Sequence, residues 1–436
     1  MVNIYNYLKK LWQKERENNL FVVLISLVLI TIPLPYGINS TAIITFAFFS
    51  VLEFIYTRKI YLNRNLFLPI LLYVLMLLSV FWTIDVQTTK TALVKELSLL
   101  GVPICFLFLN FKEEIKSKVI AVFSYSMTVY SLYYLINALV KYIISQDSSV
   151  FFYHNLVTLE VNAVHVSVYL SLSCVFLLLK INKSIYDKLA ILLLLFTIIL
   201  LSSKNVIVTF FLIITIYFLF YKQKVLQTKY VFLAGIVLIG ILIFSPNKIK
   251  ERFLVEIESN ANQKTIATEF NNGIVYNVTI KDAWEKQIFQ KNDFFPGTAL
   301  RVYQARVFFE LLVEENIFFQ GYGLNASWEK LKQKRIEHNL YEGYEKFNFH
   351  NQYIQNFAEL GVFGFVILML ILGVSIKNAI NNKDFIHFSF TILMISLFLT
   401  ESFLWRQRGV VFFTMLYCLF NTKFVIQKTK NKQNIK

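Results

Sequence analysis

His350 opens a segment whose residue types suit proton transfer at a membrane boundary. Asn351 follows it, then nine residues, then Gly361-Val-Phe-Gly364 and an apolar run to Val374. An unperturbed imidazole titrates near pH 6.5 and can take a proton from an attacking hydroxyl at neutral pH. At the mouth of an apolar helix it could serve a reaction between a lipid-borne substrate and a polar acceptor. The plainer reading is a capping or interfacial histidine. Were the helix to begin at His350, this residue would share a face with Ile354, Phe357, Gly361 and Gly364. The two glycines would then leave a shallow groove for a lipid chain or for close packing of a neighbour. Gln352, Asn356 and Glu359 fall on an adjacent face, where buried polar groups are costly. Such groups serve either function or a hydrogen-bond network between helices.

Cations supply the second half of the candidate chemistry. Residues 299–315 read as an amphipathic helix, with Leu300, Tyr303, Val307, Phe308 and Leu311 at three-to-four spacing. Arg301 and Arg306 lie on it. Arg306 has Glu310 four residues on, which suffices for a local ion pair. Arg301 has no acid at helical spacing, and a guanidinium in that position suits a bidentate grip on phosphate. Lys204 sits in the turn Ser202-Ser203-Lys204-Asn205. It is either a diphosphate contact or a snorkelling lysine. Glu401, Arg406 and Arg408 cluster around Trp405, as an ion-pair network closing that surface or as holders of an anionic ligand. His154 and His165 are weaker candidates for an acceptor site, and His338 and His387 carry no functional argument.

These residues need elements to hold them, and composition says which kind. The chain has 436 residues, 56% hydrophobic and 16% charged, with 44 Phe. Soluble domains carry about 25% charged residues, so this is a membrane composition. Cys105, Cys174 and Cys418 all fall in apolar runs without metal-ligand spacing. The first apolar run has no small-residue cleavage site after it, which argues for a span rather than a cleaved signal. Runs long enough to cross about 30 Å of hydrocarbon appear near 20–38, 40–57, 66–83, 92–110, 118–140, 159–180, 187–203, 205–221, 229–245, 353–374, 385–400 and 407–421. The fold class expected is therefore an all-α integral membrane protein of about twelve transmembrane helices.

Basic residues orient it. With the N-terminus inside, the inner segments hold Lys9, Lys10, Lys14 and Arg16, then Arg58, Lys59 and Arg64, then Lys112, Lys116 and Lys118, and so on to the basic tail 422–436. The short outer connections hold only Lys90, Lys141, Lys204, Arg406 and Arg408. The net charge of +16 thus reads as topology, not nucleic-acid binding. Both termini are expected in the cytoplasm. A bundle over 1–245, an outer loop over 246–350 and three further spans over 353–421 complete the organisation. The loop carries as many acids as bases and has helices of its own; a loop of this length is functional or disordered, and its content favours function. No Asp-x-Asp pair, Walker loop, zinc spacing or Gly-rich dinucleotide turn occurs, so no metal or nucleotide cofactor is expected.

Taken together, His-Asn, nine residues and Gly-x-x-Gly, the Gly321-Tyr-Gly323 break, the arginine-bearing helix before it and the long loop between spans nine and ten resemble the O-antigen ligase and polymerase superfamily. The likeness covers about 190–374. It implies a multi-pass protein of the bacterial inner membrane and a metal-independent inverting glycosyltransferase of C-type architecture, working on the periplasmic face. The implied donor is a glycan on undecaprenyl diphosphate, and the implied acceptor a hydroxyl of lipid A-core or another glycan. By the resemblance, His350 corresponds to the base and Arg301 to the loop arginine on the diphosphate. Lys204 stands where a second arginine is expected, keeping the charge but losing the planar fork; Arg306 is the alternative contact. Asn351, Gln352, Glu359, Gly361, Gly364, Gly321, Gly323, Glu401 and Arg406 are supporting residues. A polymerase joining lipid-linked repeats is the close alternative, followed by a protein O-glycosylating relative. A secondary transporter is disfavoured because no two-fold internal repeat is visible.

Overall fold

The computed structural model describes residues 19–158, 161–220, 266–270 and 273–422. Its helices are α1 (Leu20–Ile30), α2 (Tyr36–Thr57), α3 (Phe67–Leu78), α4 (Val86–Glu96), α5 (Ser98–Leu107), α6 (Glu113–Ser145), α7 (Ala163–Leu179), α8 (Ile185–Leu200), α9 (Lys204–Phe220), α10 (Ile280–Glu285), α11 (Gly297–Glu314), α12 (Ser327–Glu337), α13 (Gln352–Asn381), α14 (Phe385–Phe398) and α15 (Gln407–Asn421). A helix stands at every predicted span within the described residues. The ninth predicted span, 229–245, the basic N-terminal segment and the tail beyond Thr422 lie outside them. Four stretches are long and apolar enough to cross a membrane by length and composition: Tyr36–Thr57, Arg64–Phe81, Glu114–Ser145 and Gln352–Asn381. Leu20–Ile30, Ala163–Leu179, Lys204–Phe220 and Phe385–Phe398 are shorter apolar helices.

Local signals set the helix ends. Ser184 and Asp187 form a capping box at α8, and Lys180 closes on Asp187 at 2.7 Å. Asp85 caps α4 and Asp384 caps α14 through backbone N–H groups. The predicted span at 92–110 is two helices, α4 and α5, which meet at Leu97. Helix α15 is the centre of the bundle: every residue from Arg408 to Asn421 is buried, with α5, α13, α1 and α4 against it. Cys105, Cys174 and Cys418 are free and buried, as their apolar surroundings suggested.

A second, smaller core belongs to the loop domain, built on Phe289, Phe295, Tyr303, Val307, Leu311, Leu331 and Phe349. Aromatic rings fill it, with Phe289–Phe295 centroids 5.0 Å apart and Phe295–Tyr303 5.3 Å apart. The all-α expectation missed one feature there. Strands β1 (Ile266–Phe270) and β2 (Gly273–Asn277) pair antiparallel, and β3 (Asp293–Phe294) joins β2 in parallel. Asn272-Gly273 between two β-rich runs is a hairpin signal. It was masked by reading the loop for helical periodicity alone.

The loop domain is locked onto the bundle by backbone contacts that only glycine allows. Helix α13 is broken at Gly361, where φ is 65° and ψ −165°. The freed Val362 N–H donates to Phe318 O at 2.8 Å. Gly323 N–H donates to Glu359 O, and Tyr322 N–H to Ala358 O, both at 2.9 Å. Added Cβ atoms at Gly361 and Gly321 would strike the backbones of Phe319 and Glu359. The groove expected under His350 is therefore filled at Gly361 by the chain's own 319–320 backbone. Packing, not a lipid chain, explains that glycine.

Candidate active site

Helix α11 carries both halves of the site. One turn in, Arg301 reaches across to the segment after α14. Its Nη2 lies 3.2 Å from Glu401 Oε1, its Nε donates to Thr400 O at 2.9 Å, and its Nη1 donates to Gly297 O at 2.9 Å. Arg301 is thus not unpaired, as its helical neighbours suggested. Its acid comes from a distant part of the chain, which no local spacing can reveal. Next on the same helix, Gln304 Nε2 donates to Asn348 O at 2.6 Å, and Asn348 Oδ1 accepts the His350 N–H at 3.0 Å.

His350 itself precedes the helix and does not share its face. Asn351 is the N-cap of α13, its Oδ1 accepting from Tyr353 N and Ile354 N, while its Nδ2 donates to Leu399 O at 3.3 Å. His350 has φ 47°, a left-handed conformation that costs a non-glycine residue about 1–3 kcal/mol unless its surroundings impose it. Here the Asn348 bond on one side and the Asn351 cap on the other impose it. The strain aims the imidazole at Glu401: Nδ1 lies 3.5 Å from Oε2, a distance of charge attraction rather than of a formed hydrogen bond. Nδ1 is buried while the side chain as a whole is 25% exposed, so Nε2 is the nitrogen left facing outward. Burial pushes the Glu401 carboxyl up, but His350 and Arg301 outweigh it and hold the group below the ordinary glutamate range. Glu401 is therefore an anion at neutral pH.

The turn holding Lys204 arrives at the same place. Asn205 Nδ2 donates to Thr400 Oγ1 and to Ser396 O, both at 2.8 Å, and Ser396 Oγ donates to Asn205 Oδ1 at 2.6 Å. Thr400 thus takes the Lys204 turn on its hydroxyl and Arg301 on its carbonyl. Lys204 begins α9 as its first residue, half-buried.

Other predicted residues go elsewhere. Arg306 is 5% exposed and fully engaged: Nε on Glu310 at 2.6 Å, Nη1 on Lys286 O at 2.6 Å and Nη2 on Gln287 at 3.1 Å. It clamps α11 to the 286–287 turn. Arg408 turns inward, donating to Leu34 O at 2.9 Å and lying 4.3 Å over the Tyr36 ring. Glu401 pairs with neither Arg406 nor Arg408, so the expected network around Trp405 does not form. Arg406 is exposed. His165 is buried beside Phe403, ring centroids 4.3 Å apart. The Nδ1 of His154 receives the Ala163 N–H at 3.5 Å, a helix-start role. His338 meets Tyr303 and Glu310, and His387 meets Ser375.

Beneath the site, the polar face of α13 is a network. Gln352 Nε2 donates to Asn356 Oδ1 at 2.7 Å, and its Oε1 accepts Leu404 N–H at 2.7 Å. Gln355 donates to both Glu359 and Ser327, and its Oε1 accepts from Ser402 and from the Phe349 N–H. Sequence reasoning missed Gln355, Thr400 and Asn205. Gln355 follows Gln352 at helical spacing and was readable; Thr400 acts through both its hydroxyl and its carbonyl, on partners distant in sequence, and had no local signal.

Residues 189–369 match the model of the O-antigen ligase family. The match takes in Lys204, Arg301, Arg306, the Gly321–Gly323 turn and His350 through Gly364, and bears out the resemblance read from those motifs. Glu401 lies beyond it. Among curated proteins, none matches this chain.

Proposed function

We propose that the protein transfers a glycan from undecaprenyl diphosphate to an acceptor hydroxyl on the periplasmic face of the bacterial inner membrane, without a metal. One observation carries the reading: a single carboxylate, Glu401, holds a histidine and an arginine together at the end of a membrane helix. In this reading Glu401 keeps the His350 proton on Nδ1, so Nε2 is the base. The acceptor oxygen attacks the anomeric carbon and gives its proton to Nε2. The bond from that carbon to the phosphate oxygen breaks with inversion, and the lipid diphosphate leaves with the electron pair. Arg301 and Lys204 offset its developing charge. Arg301 has three protein partners already, and it meets the diphosphate with the outward edge of its fork; its side chain is 32% exposed. Arg306 is too deeply engaged for this task and serves as a clamp.

Ligation to lipid A-core is the leading reaction and polymerisation of lipid-linked repeats the alternative, since both use this donor and base. The test is transfer of label by purified protein from a lipid-linked glycan to defined lipid A-core or to further lipid-linked repeats. Label on lipid A-core supports the ligase; label only on longer lipid-linked glycan overturns it in favour of polymerase. If His350→Ala left both products unchanged, the base assignment would fail.

A further inference from the structure

Helix α11 has two apolar faces. Tyr303, Val307 and Leu311 enter the loop-domain core, with Val302 packed against it, while Phe309 and Val313 lie on a separate, exposed side. Phe309 and Val313 are 51% and 86% exposed. Aromatic contacts link this side of α11 to the membrane bundle by way of Phe308, which is itself buried in the loop-domain core. Trp284 and Phe309 centroids lie 6.1 Å apart, Phe308 meets Phe357 at 5.3 Å, Phe357 meets Phe318 at 5.6 Å, and Phe319 meets Phe363 at 6.3 Å. Phe363 belongs to the span Gln352–Asn381, whose exposed side continues through Val366, Met369 and Leu370. Residues exposed on a membrane-spanning helix face lipid. The exposed positions of α12 are mixed, Glu329, Gln333 and Glu337 together with Trp328 and Ile336. Phe318 and Phe319, both exposed, adjoin the lipid-facing surface directly through Phe363, and Phe309 and Val313 expose apolar surface on α11 above them.

We infer that this apolar side is a lipid-binding surface: Phe309, Val313, Phe318 and Phe319 sit in the acyl boundary of the adjoining leaflet and fix the height of the loop domain over the bilayer. Aromatic and aliphatic residues at that depth match the interfacial preference of such side chains. The surface commits to bilayer lipid because its lower end is already lipid-facing. It does not depend on the reaction assigned above.

The experiment places a nitroxide at Val313→Cys and, separately, at Glu329→Cys in the full chain reconstituted into phosphatidylethanolamine/phosphatidylglycerol vesicles. Both positions are exposed, so neither change disturbs the core. The expected result is oxygen-dominated relaxation at 313 and nickel-chelate-dominated relaxation at 329. Nickel-chelate access at 313 equal to that at 329 means this side faces water and overturns the inference. Shielding of 313 from both agents means protein covers it, a second copy included, and overturns it equally. A lipid signature at 313 beside a water signature at 329 supports the surface by itself.

Discussion

His350 and Arg301 share one carboxylate, with Nδ1 at 3.5 Å from one Glu401 oxygen and Nη2 at 3.2 Å from the other. An acid that orients a base and a cation together should couple their effects. Removing the base should lower turnover by about 10²–10⁴-fold. Glu401→Gln should lower it by less, because the amide still fits but no longer fixes the Nδ1 proton by charge. The double variant His350→Ala/Glu401→Gln should lose less than the two single losses multiplied, since part of what Glu401 does acts through His350 and the rest through Arg301. Additive losses measured by label transfer would show the two acting independently.

How much of this was legible beforehand differs by residue. His350, the two cations Arg301 and Lys204 and the Gly321-Tyr-Gly323 break were visible because each has a local signature: a histidine before an apolar run, arginine on a periodic helix, lysine in a polar turn, a glycine pair. The Glu401–Arg301 pair was not, because its members come from α11 and the segment after α14. The glycines were legible in part: their spacing suggested either a lipid groove or close packing, and the tertiary structure selects packing by putting the Phe319 backbone against Gly361. The small sheet escaped because a short hairpin inside a helix-rich loop gives few residues of alternation.

Arg301→Lys tests geometry apart from charge. Lysine keeps the cation, yet it cannot reach Thr400 O, Gly297 O and Glu401 from one planar group. If Arg301 grips the diphosphate as proposed, loss of that planar grip should lower kcat/KM by about tenfold, or roughly 1.4 kcal/mol. Steady-state kinetics against lipid-linked donor concentration will check this. A lysine variant equal to wild type would mean that charge alone suffices at this position.

Arg306 should separate stability from activity. It is a buried arginine in a hydrogen-bonded pair with Glu310, and removing one partner of such a pair costs about 3–5 kcal/mol. Arg306→Met should therefore lower the unfolding midpoint in detergent markedly while the surviving folded protein keeps its donor KM. A raised donor KM at normal stability would return Arg306 to the diphosphate site.

Gly361→Ala addresses the lock between loop domain and bundle. Alanine at φ 65° carries strain of about 1–3 kcal/mol, and its Cβ also meets the Phe319 carbonyl. Both effects should fall on the same joint. Limited proteolysis should then cut the loop domain faster while the bundle stays intact. Equal cleavage rates in the two proteins would mean the joint adapts at no cost.

His338 gives the loop domain a pH dependence of defined sign. Burial lowers its tendency to protonate, and the cations Arg306 and Lys334 add to this against the opposing pull of Glu310 and Glu337. Its folded pKa is thus below the ordinary histidine value, so the unfolded chain binds the proton more readily. The stability it contributes is complete above about pH 6.5 and is lost as the pH falls through the folded value. Glu401, also depressed, contributes above the ordinary glutamate pKa and is lost only in more acid solution. The two groups therefore act in different windows. Between pH 7.5 and 5.5 the unfolding midpoint should fall, and His338→Gln should flatten that fall while leaving the more acid step in place. An identical pH curve for His338→Gln would assign the loss to other groups. Because Tyr303 meets His338 Nδ1 at 3.0 Å, glutamine can retain one hydrogen bond there, so a flattened curve would report the lost titration rather than a lost contact.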